Sequence, residues 1–305
     1  MIDFKRPQLA DKTWIDPIFR ASGFRSCEYT FPNLMAWAEA FSETVALVDG
    51  FVVVHVGTDE GGYGWAAGSG DRKALLRTLA QDAAERGRSL RLLGLTEEQT
   101  QELEALFLGK FTFTNYRNAA DYCYTVDKLA DLAGKKLHAK RNHIHRFVEN
   151  YPDWRVAEIT PENLDQCVAL ARDWEQAQAE AGLDDWNEQE GEAALHLCIQ
   201  HYEALELEGL LLYGEGKPLA FTMGRSIGGD TYDVIFEKSY ADIQGAYAMI
   251  NREFARWIRD HHPEIVYLNR EDDMGEPGLR KAKLSYRPDL MVEKHLACLK
   301  PGETL

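Results

Sequence analysis

Three apolar runs, Gly209–Tyr213, Leu219–Ile227 and Tyr232–Phe236, are joined by short links containing Gly214-Glu215-Gly216-Lys217 and Gly228-Gly229-Asp230. Links so short and so rich in glycine join antiparallel neighbours, so this block predicts a three-stranded antiparallel run. Upstream, Trp154–Ile159 reads as a strand. Thr160 caps and Pro161 opens a helix running to about Glu180, and a second helix spans about Glu188–Leu205. Downstream come a helix over Gly245–Arg259, a strand over Glu264–Leu268, a short helix over Gly278–Leu284 and one strand over Leu290–Leu299. The order is that of an α/β unit built on a mixed sheet.

The first half carries a shorter version of the same order. Leu34–Phe41 predicts a short helix, and Thr44–Val56 a hairpin around Asp49-Gly50. Asp71 caps a helix to about Arg86 with Leu75, Leu76, Leu79 and Ala83 on one face; Gly87 stops it, and Ser89–Leu95 is a strand. Thr96-Glu97-Glu98-Gln99 is a capping-box pattern for the next helix. The layout from Gly68 echoes the layout from Gln244: loop, helix, strand. A chain of 305 residues, 45% hydrophobic, exceeds one average domain, so the expectation is two units, residues 1–133 and 153–305, joined by a basic helix over 134–152.

The formal net charge of −16 repels polyanions except where basic residues cluster, which argues against a chain coated by nucleic acid or anionic membrane. Cys27, Cys123, Cys167, Cys198 and Cys298 have neither disulfide-framework nor zinc spacing, and a metal site is not expected. Glu271, Asp272 and Asp273 lack calcium-loop spacing, and His196 and His201 form no zincin pair. The start of the sequence has no apolar signal core and no run approaches ~18 apolar residues, so the expected location is the cytoplasm. GxSxG, Walker A and kinase signatures are absent. Trp174, Trp186 and Trp257 sit at helical positions suited to a core or a domain interface.

The order of elements in the second half resembles the GCN5-related N-acyltransferase fold. That resemblance implies a donor pyrophosphate held by amides at the N-terminus of the central helix, here by Lys238, Gln244, Gly245 and Ala246. The family pattern is met loosely, because Gln244 directly precedes Gly245 and Asp242 adds negative charge. The other reading of Gly245 is a glycine that lets a strand turn into a helix. At closer range, three segments resemble bacterial relatives of the phosphatidylglycerol lysyltransferase C-terminal domain, which are tandem acyltransferase-like units. The segments are Gly134–Ile144, Phe236-Glu237-Lys238 with Gln244–Tyr247, and Asn269–Gly275 with Gly278–Tyr286. The resemblance implies an acyl- or aminoacyltransferase working by direct attack on an amine or hydroxyl of a small molecule or lipid headgroup. Acyl-CoA or aminoacyl-tRNA would be the donor, with no tightly bound cofactor, and a non-catalytic binder of nucleotide or phosphate ligands is the alternative. It further implies that the second unit is the functional one, the first being structural or capping, and that Tyr286 is a general acid; a buried structural tyrosine is the other reading.

The residues themselves suggest roles. Asp233 and Glu237, four apart on a regular strand, would share a side with Ile235, and either carboxylate would take a proton from an attacking amine. Asn269, Arg270, Glu271 and Asp272 follow a strand and suit acceptor binding or base catalysis, with a solvated loop as the competing reading. On the basic helix Leu137, Arg141, Ile144 and Val148 follow one stripe, and Lys136, Lys140, His143 and Phe147 another. Lys136, Lys140 and Arg141 would meet a tRNA or pair within the protein. Oligomeric state is not legible.

Overall fold

The computed structural model describes residues 1–180, 186–240 and 242–305, with the side chains of 177–179 and 186–188 also outside the description. Trp186 therefore falls outside the described side chains. In the first half the strands are β1 (Glu43–Val48), β2 (Phe51–Val56), β3 (Gly62–Gly64), β4 (Ala67–Gly68), β5 (Arg91–Leu95), β6 (Phe111–Asn115) and β7 (Asp121–Thr125). In the second they are β8 (Arg155–Glu158), β9 (Glu208–Gly214), β10 (Lys217–Gly228), β11 (Thr231–Ser239), β12 (Tyr267–Asn269), β13 (Leu290–Val292) and β14 (His295–Leu299). The β1–β2 turn needs positive φ at both central positions, met by Asp49 (48°) and Gly50 (85°), the expected hairpin.

Two mixed sheets result. One runs β1-β2-β3-β5-β14-β6, with β4 added to β2; the other runs β13-β7-β12-β11-β10-β9-β8. Each contains a strand, helix, parallel strand unit: β3 and β5 flank the helix Arg72–Glu85, and β11 and β12 flank Ala246–His261. The echo seen in sequence is thus two copies of one topological unit.

The strands beside those units are exchanged. β14, near the C-terminus, lies between β5 and β6, while β7, from the first half, lies between β12 and β13. The linear division at residues 133 and 153 accordingly does not follow the sheets. The single strand expected over Leu290–Leu299 is also two strands in different sheets, and the chain crosses between them at Glu293-Lys294.

A second correction concerns β11. Met223 pairs with Phe236 but Arg225 with Asp233, so β11 spends one extra residue across that interval. Such a bulge inverts the alternation of side chains. Asp233 faces the first half, where Thr30 Oγ1 donates to its Oδ2 at 3.4 Å, while Glu237 faces the central helix, accepting from Asn251 Nδ2 at 3.2 Å. The bulge also brings the Asp233 carbonyl against Gly224, where an added Cβ would stand 1.9 Å from it.

Packing forms three cores. Met249, Ile250, Phe254 and Ile258 of the central helix cover one face of the second sheet. Leu75, Leu76 and Leu79 cover the far face of the first sheet. Between the sheets, Ile15 and Phe19 of Lys12–Ser22 and Phe31 and Leu34 of Phe31–Trp37 pack with Leu170, Cys198, Phe221 and Ile235 in one shared core. No described helix is long and apolar enough to cross a membrane.

Candidate active site between the two sheets

The shared core is hollow at one place. A cavity of about 460 Å³ opens between the first sheet and the short helix Phe31–Trp37. One wall is a sheet face: Val52, Val54 and Val56, alternating along β2, with Gly64, Leu93 and Leu296 from neighbouring strands. Leu34, Trp37 and Phe41 also line it. Polar groups enter from Glu28, Asn33, Glu43, Glu271, Asp272 and Lys294.

The acidic groups are held by named partners. Asn33 sits in the first turn of its helix, where Thr30 caps by accepting from the Asn33 amide at 3.2 Å, and its side-chain amide donates to Glu271 Oε1 at 3.0 Å. Burial raises Glu271 to about 8 and Asp272 to about 6. Burial, reinforced by the charge of Glu28, raises Glu43 to about 8. Burial likewise pushes Asp233 well above the usual carboxylate range, with the charge of Glu271 adding to it, and Asp233 Oδ1 is a buried oxygen without a hydrogen-bond partner. Desolvated carboxyl groups near neutrality exchange protons readily or take a cation as countercharge.

Lys294 is the one cation among the cavity-lining residues buried to this degree, its side chain 2% exposed. Its ammonium donates to Glu28 Oε1 at 2.6 Å and Asp121 Oδ1 at 2.7 Å. Burial opposes its charge, but Asp121, Cys27 and Glu28 prevail and hold it well above the ordinary lysine value. Cys27, Glu28 and Asp121 are close enough to ligate a metal ion. The Lys294 ammonium, 3.6 Å from Cys27 Sγ as well, already supplies the positive charge that such a trio would hold.

The loop after β12 is fixed from below. Asn269 Oδ1 accepts from the Glu271 amide at 2.7 Å, and its amide group donates to Arg25 O and Asp121 Oδ2. Glu271 takes φ of 55°, a left-handed conformation that costs a non-glycine residue energy and aims its side chain. Lys283 Nζ donates to the carbonyls of Arg270, at 2.6 Å, and Asp272. Asp273 is tied to Arg280 at 2.6 Å and to Arg117 and Tyr122; these bonds overcome burial and hold it well below the usual range.

Of the four residues assigned to acceptor binding, Glu271 and Asp272 line the cavity; Asn269 is a buried brace and Arg270 points elsewhere. Arg270 pairs with Glu237 at 2.8 Å, and its guanidinium lies 5.1 Å from the Tyr286 ring centre, while the Lys140 ammonium lies 3.9 Å from it. Glu237, Tyr286 and Lys140 therefore form a second cluster on the other side of the second sheet. There burial, with the charge of Arg270, lowers Lys140 to about 8, and burial raises Tyr286 to about 12.

The donor-phosphate residues are dispersed. Gly245 (φ 89°) starts the central helix, but a Cβ there would stand 2.2 Å from the His143 carbonyl oxygen of the basic helix, His138–Asn150. Ala246 is buried, Gln244 is exposed, and Lys238 lies 3.1 Å from the Trp174 ring centre. The basic helix buries Leu137, Ile144 and Phe147, a face drawn from both expected stripes, and leaves Val148 exposed. Arg141 donates to the carbonyls of Leu132 and Gly134, so it closes its own neighbourhood, whereas Lys136 stays exposed. The sequence reading missed Glu28, Asn33, Glu43 and Lys294, all supplied by the unit expected to be structural or by the crossing before β14.

The two mixed sheets, each with its strand, helix, parallel strand unit, give the tandem mixed α/β architecture expected from the sequence. The family named "Phosphatidylglycerol lysyltransferase, C-terminal" matches residues 19–298, and the chain belongs to it. It is similar to a conserved protein of unknown function from Bacteroides thetaiotaomicron, 39% identical, with a TM-score of 0.91 over 98% of this chain and 100% of that one. The L-PGS structure from Bacillus licheniformis shares the fold at 13% identity, with a TM-score of 0.65 over 99% and 95% of the two chains. An uncharacterised protein of Mycoplasmoides gallisepticum is 23% identical over 214 residues, covering 65% of this chain and 67% of its own length.

Proposed function

We propose that this protein transfers an acyl or aminoacyl group to an amine or hydroxyl acceptor, and that transfer takes place in the cavity between the sheets. The observation that carries the reading is the group of carboxyls, Glu28, Glu43, Glu271 and Asp272, lining the cavity between the sheets in a member of this family. Glu271, poised near 8 and aimed by Asn33 and Asn269, is suited to general-base work. It takes the proton of the attacking amine or hydroxyl. The freed nitrogen or oxygen then bonds to the donor's carbonyl carbon, the ester or thioester bond breaks, and the leaving group departs with a proton. Glu28 and Asp272 offer countercharge to an ammonium group.

An aminoacyl-tRNA fits as donor better than acyl-CoA. The basic helix lies across the start of the central helix, so the His143 carbonyl oxygen faces the place where a pyrophosphate would be expected. Lys135 and Lys136, in the 3-10 turn just before this helix, and Arg146 on it are exposed basic residues on an acidic chain. The test is consumption of labelled aminoacyl-tRNA or acyl-CoA in the presence of mixed amine and hydroxyl acceptors. The expected result is turnover of aminoacyl-tRNA that Glu271→Gln lowers by about 10²-fold or more. Turnover equal in parent and variant refutes the assignment of the site.

A further inference from the structure

The carboxyl groups account for only part of the cavity. At about 460 Å³ it has the room of some fifteen waters, at roughly 30 Å³ each, far more than a lone ammonium needs. Asn33 bonds to Glu271 and Lys294 to Glu28, and the charge of Lys294 acts on both Glu271 and Asp272, so these groups share one end of the cavity. Away from them much of the lining is apolar, Leu34, Trp37, Val52, Val54, Val56 and Leu93, with Glu60, Arg91 and Glu190 as further charged members. Empty apolar space of this kind is filled by apolar ligand surface and is a poor place for a second charge. Glu43, on β1 opposite Val56, also reaches the lining, and burial raises its carboxyl to about 8, as it does that of Glu271. Gly64 enlarges the space: on β3, a Cβ at this position would meet nothing closer than Val54 Cβ at 3.7 Å.

We propose that the substrate group held in this cavity is a monocationic amine with an extended apolar body, alkyl or aromatic, whose ammonium lies against Glu271 and Glu28 while the body lies between the β2 face and Trp37. The inference rests on the reading of this cavity as the reaction site and names its substrate class. An aminoacyl group of this class carries a large apolar side chain on its α-ammonium-bearing carbon. A diamine or lysine-like group would carry its second charge along the Val52, Val54 and Val56 face.

Simple amines test the class without the donor. Butylamine, hexylamine, octylamine, cadaverine and neutral octanol are titrated into the protein by calorimetry at pH 8.5, with a thermal-shift readout beside it. Each added methylene should tighten binding by about fourfold. Gly64→Leu, whose Cβ would stand 3.7 Å from that of Val54, should weaken octylamine more than tenfold while leaving butylamine within about threefold. Trp37→Ala, which cannot overfill the core, should shorten the gain from butyl to octyl. Glu271→Gln should abolish the preference for octylamine over octanol. A flat chain-length series, cadaverine binding tighter than hexylamine, or octylamine binding indifferent to all three substitutions overturns the proposal. Amine binding as described in a protein that consumes no donor refutes the transfer reading and leaves the ligand class standing.

Discussion

Replacing Lys294 by methionine tests the electrostatic frame of the site. The lysine is 2% exposed and its ammonium serves two carboxylates, Glu28 at 2.6 Å and Asp121 at 2.7 Å. Methionine fills a similar volume, so the change removes charge with little loss of packing. Stripping one partner from a buried pair costs about 3–5 kcal/mol, because the abandoned charge stays desolvated. Glu28 is 47% exposed and can be solvated in part, whereas Asp121 is 0% exposed, so the loss should fall near the lower end, about 3 kcal/mol. For a chain of this length that is roughly 6 °C in Tm. Asp121 keeps bonds from the Cys27 amide at 3.0 Å and Asn269 at 2.9 Å, so the fold should survive. The sign with pH follows from the two shifts. Lys294 is raised, so its contribution is whole below its ordinary value of about 10.4 and fades only as pH climbs through the raised one. Glu28 is lowered, burial being outweighed by Lys294, so its contribution is whole above about 4.3 and fades as pH falls through the lowered value. The gap between parent and K294M, measured by calorimetric melting, should be level from about pH 6 to 9 and narrow under about pH 4. Adding Asp121→Asn should restore at least about 1 kcal/mol. A melting-point loss under about 2 °C, or no recovery in the double variant, refutes this account of the cluster.

Gly245→Ala should cost about 2–4 kcal/mol in urea unfolding, because its Cβ would collide with the His143 carbonyl at 2.2 Å and φ is 89°. Octylamine affinity of the folded fraction should not change, and a selective loss of ligand binding would return Gly245 to a donor site. Glu271 is raised by burial, so between about 4.3 and 8 the folded state holds a proton that the unfolded chain has lost, and stability falls as pH rises through that window. Glu271→Gln should flatten the slope, read from urea midpoints at pH 5, 7 and 9; an unchanged slope assigns the proton to another group.

The parts of the fold legible in the sequence are those whose information is local. The three strands from Glu208 to Ser239 and the Asp49-Gly50 hairpin are written in turn residues a few positions apart. The bulge that parts Asp233 from Glu237 leaves no such mark, and a regular strand was the natural assumption. The site is harder still. Lys294 and Glu28 are 266 positions apart, and only the crossing of the chain between β13 and β14 brings them together. The sequence signal that did point to the site was the acidic run after β12, where two of the four assigned residues face the cavity. On the basic helix charge was visible but direction was not: Lys140 turns inward onto Tyr286 and Arg141 onto carbonyls.

The reciprocal placement of β7 and β14 bears on how the molecule comes into being. As the chain leaves the ribosome, β5 and β6 are complete long before β14, and until residues 295–299 emerge a slot runs through the first sheet with unpaired backbone on both sides. The second sheet has the opposite history, since β7 is made early and waits for β12 and β13. Neither half reaches a closed state alone, and each exposes strand edges that invite pairing with other chains. A nascent chain of this design depends on residues 295–299 arriving before a neighbour does, and without them β6 has no partner in the first sheet and β5 keeps an open edge.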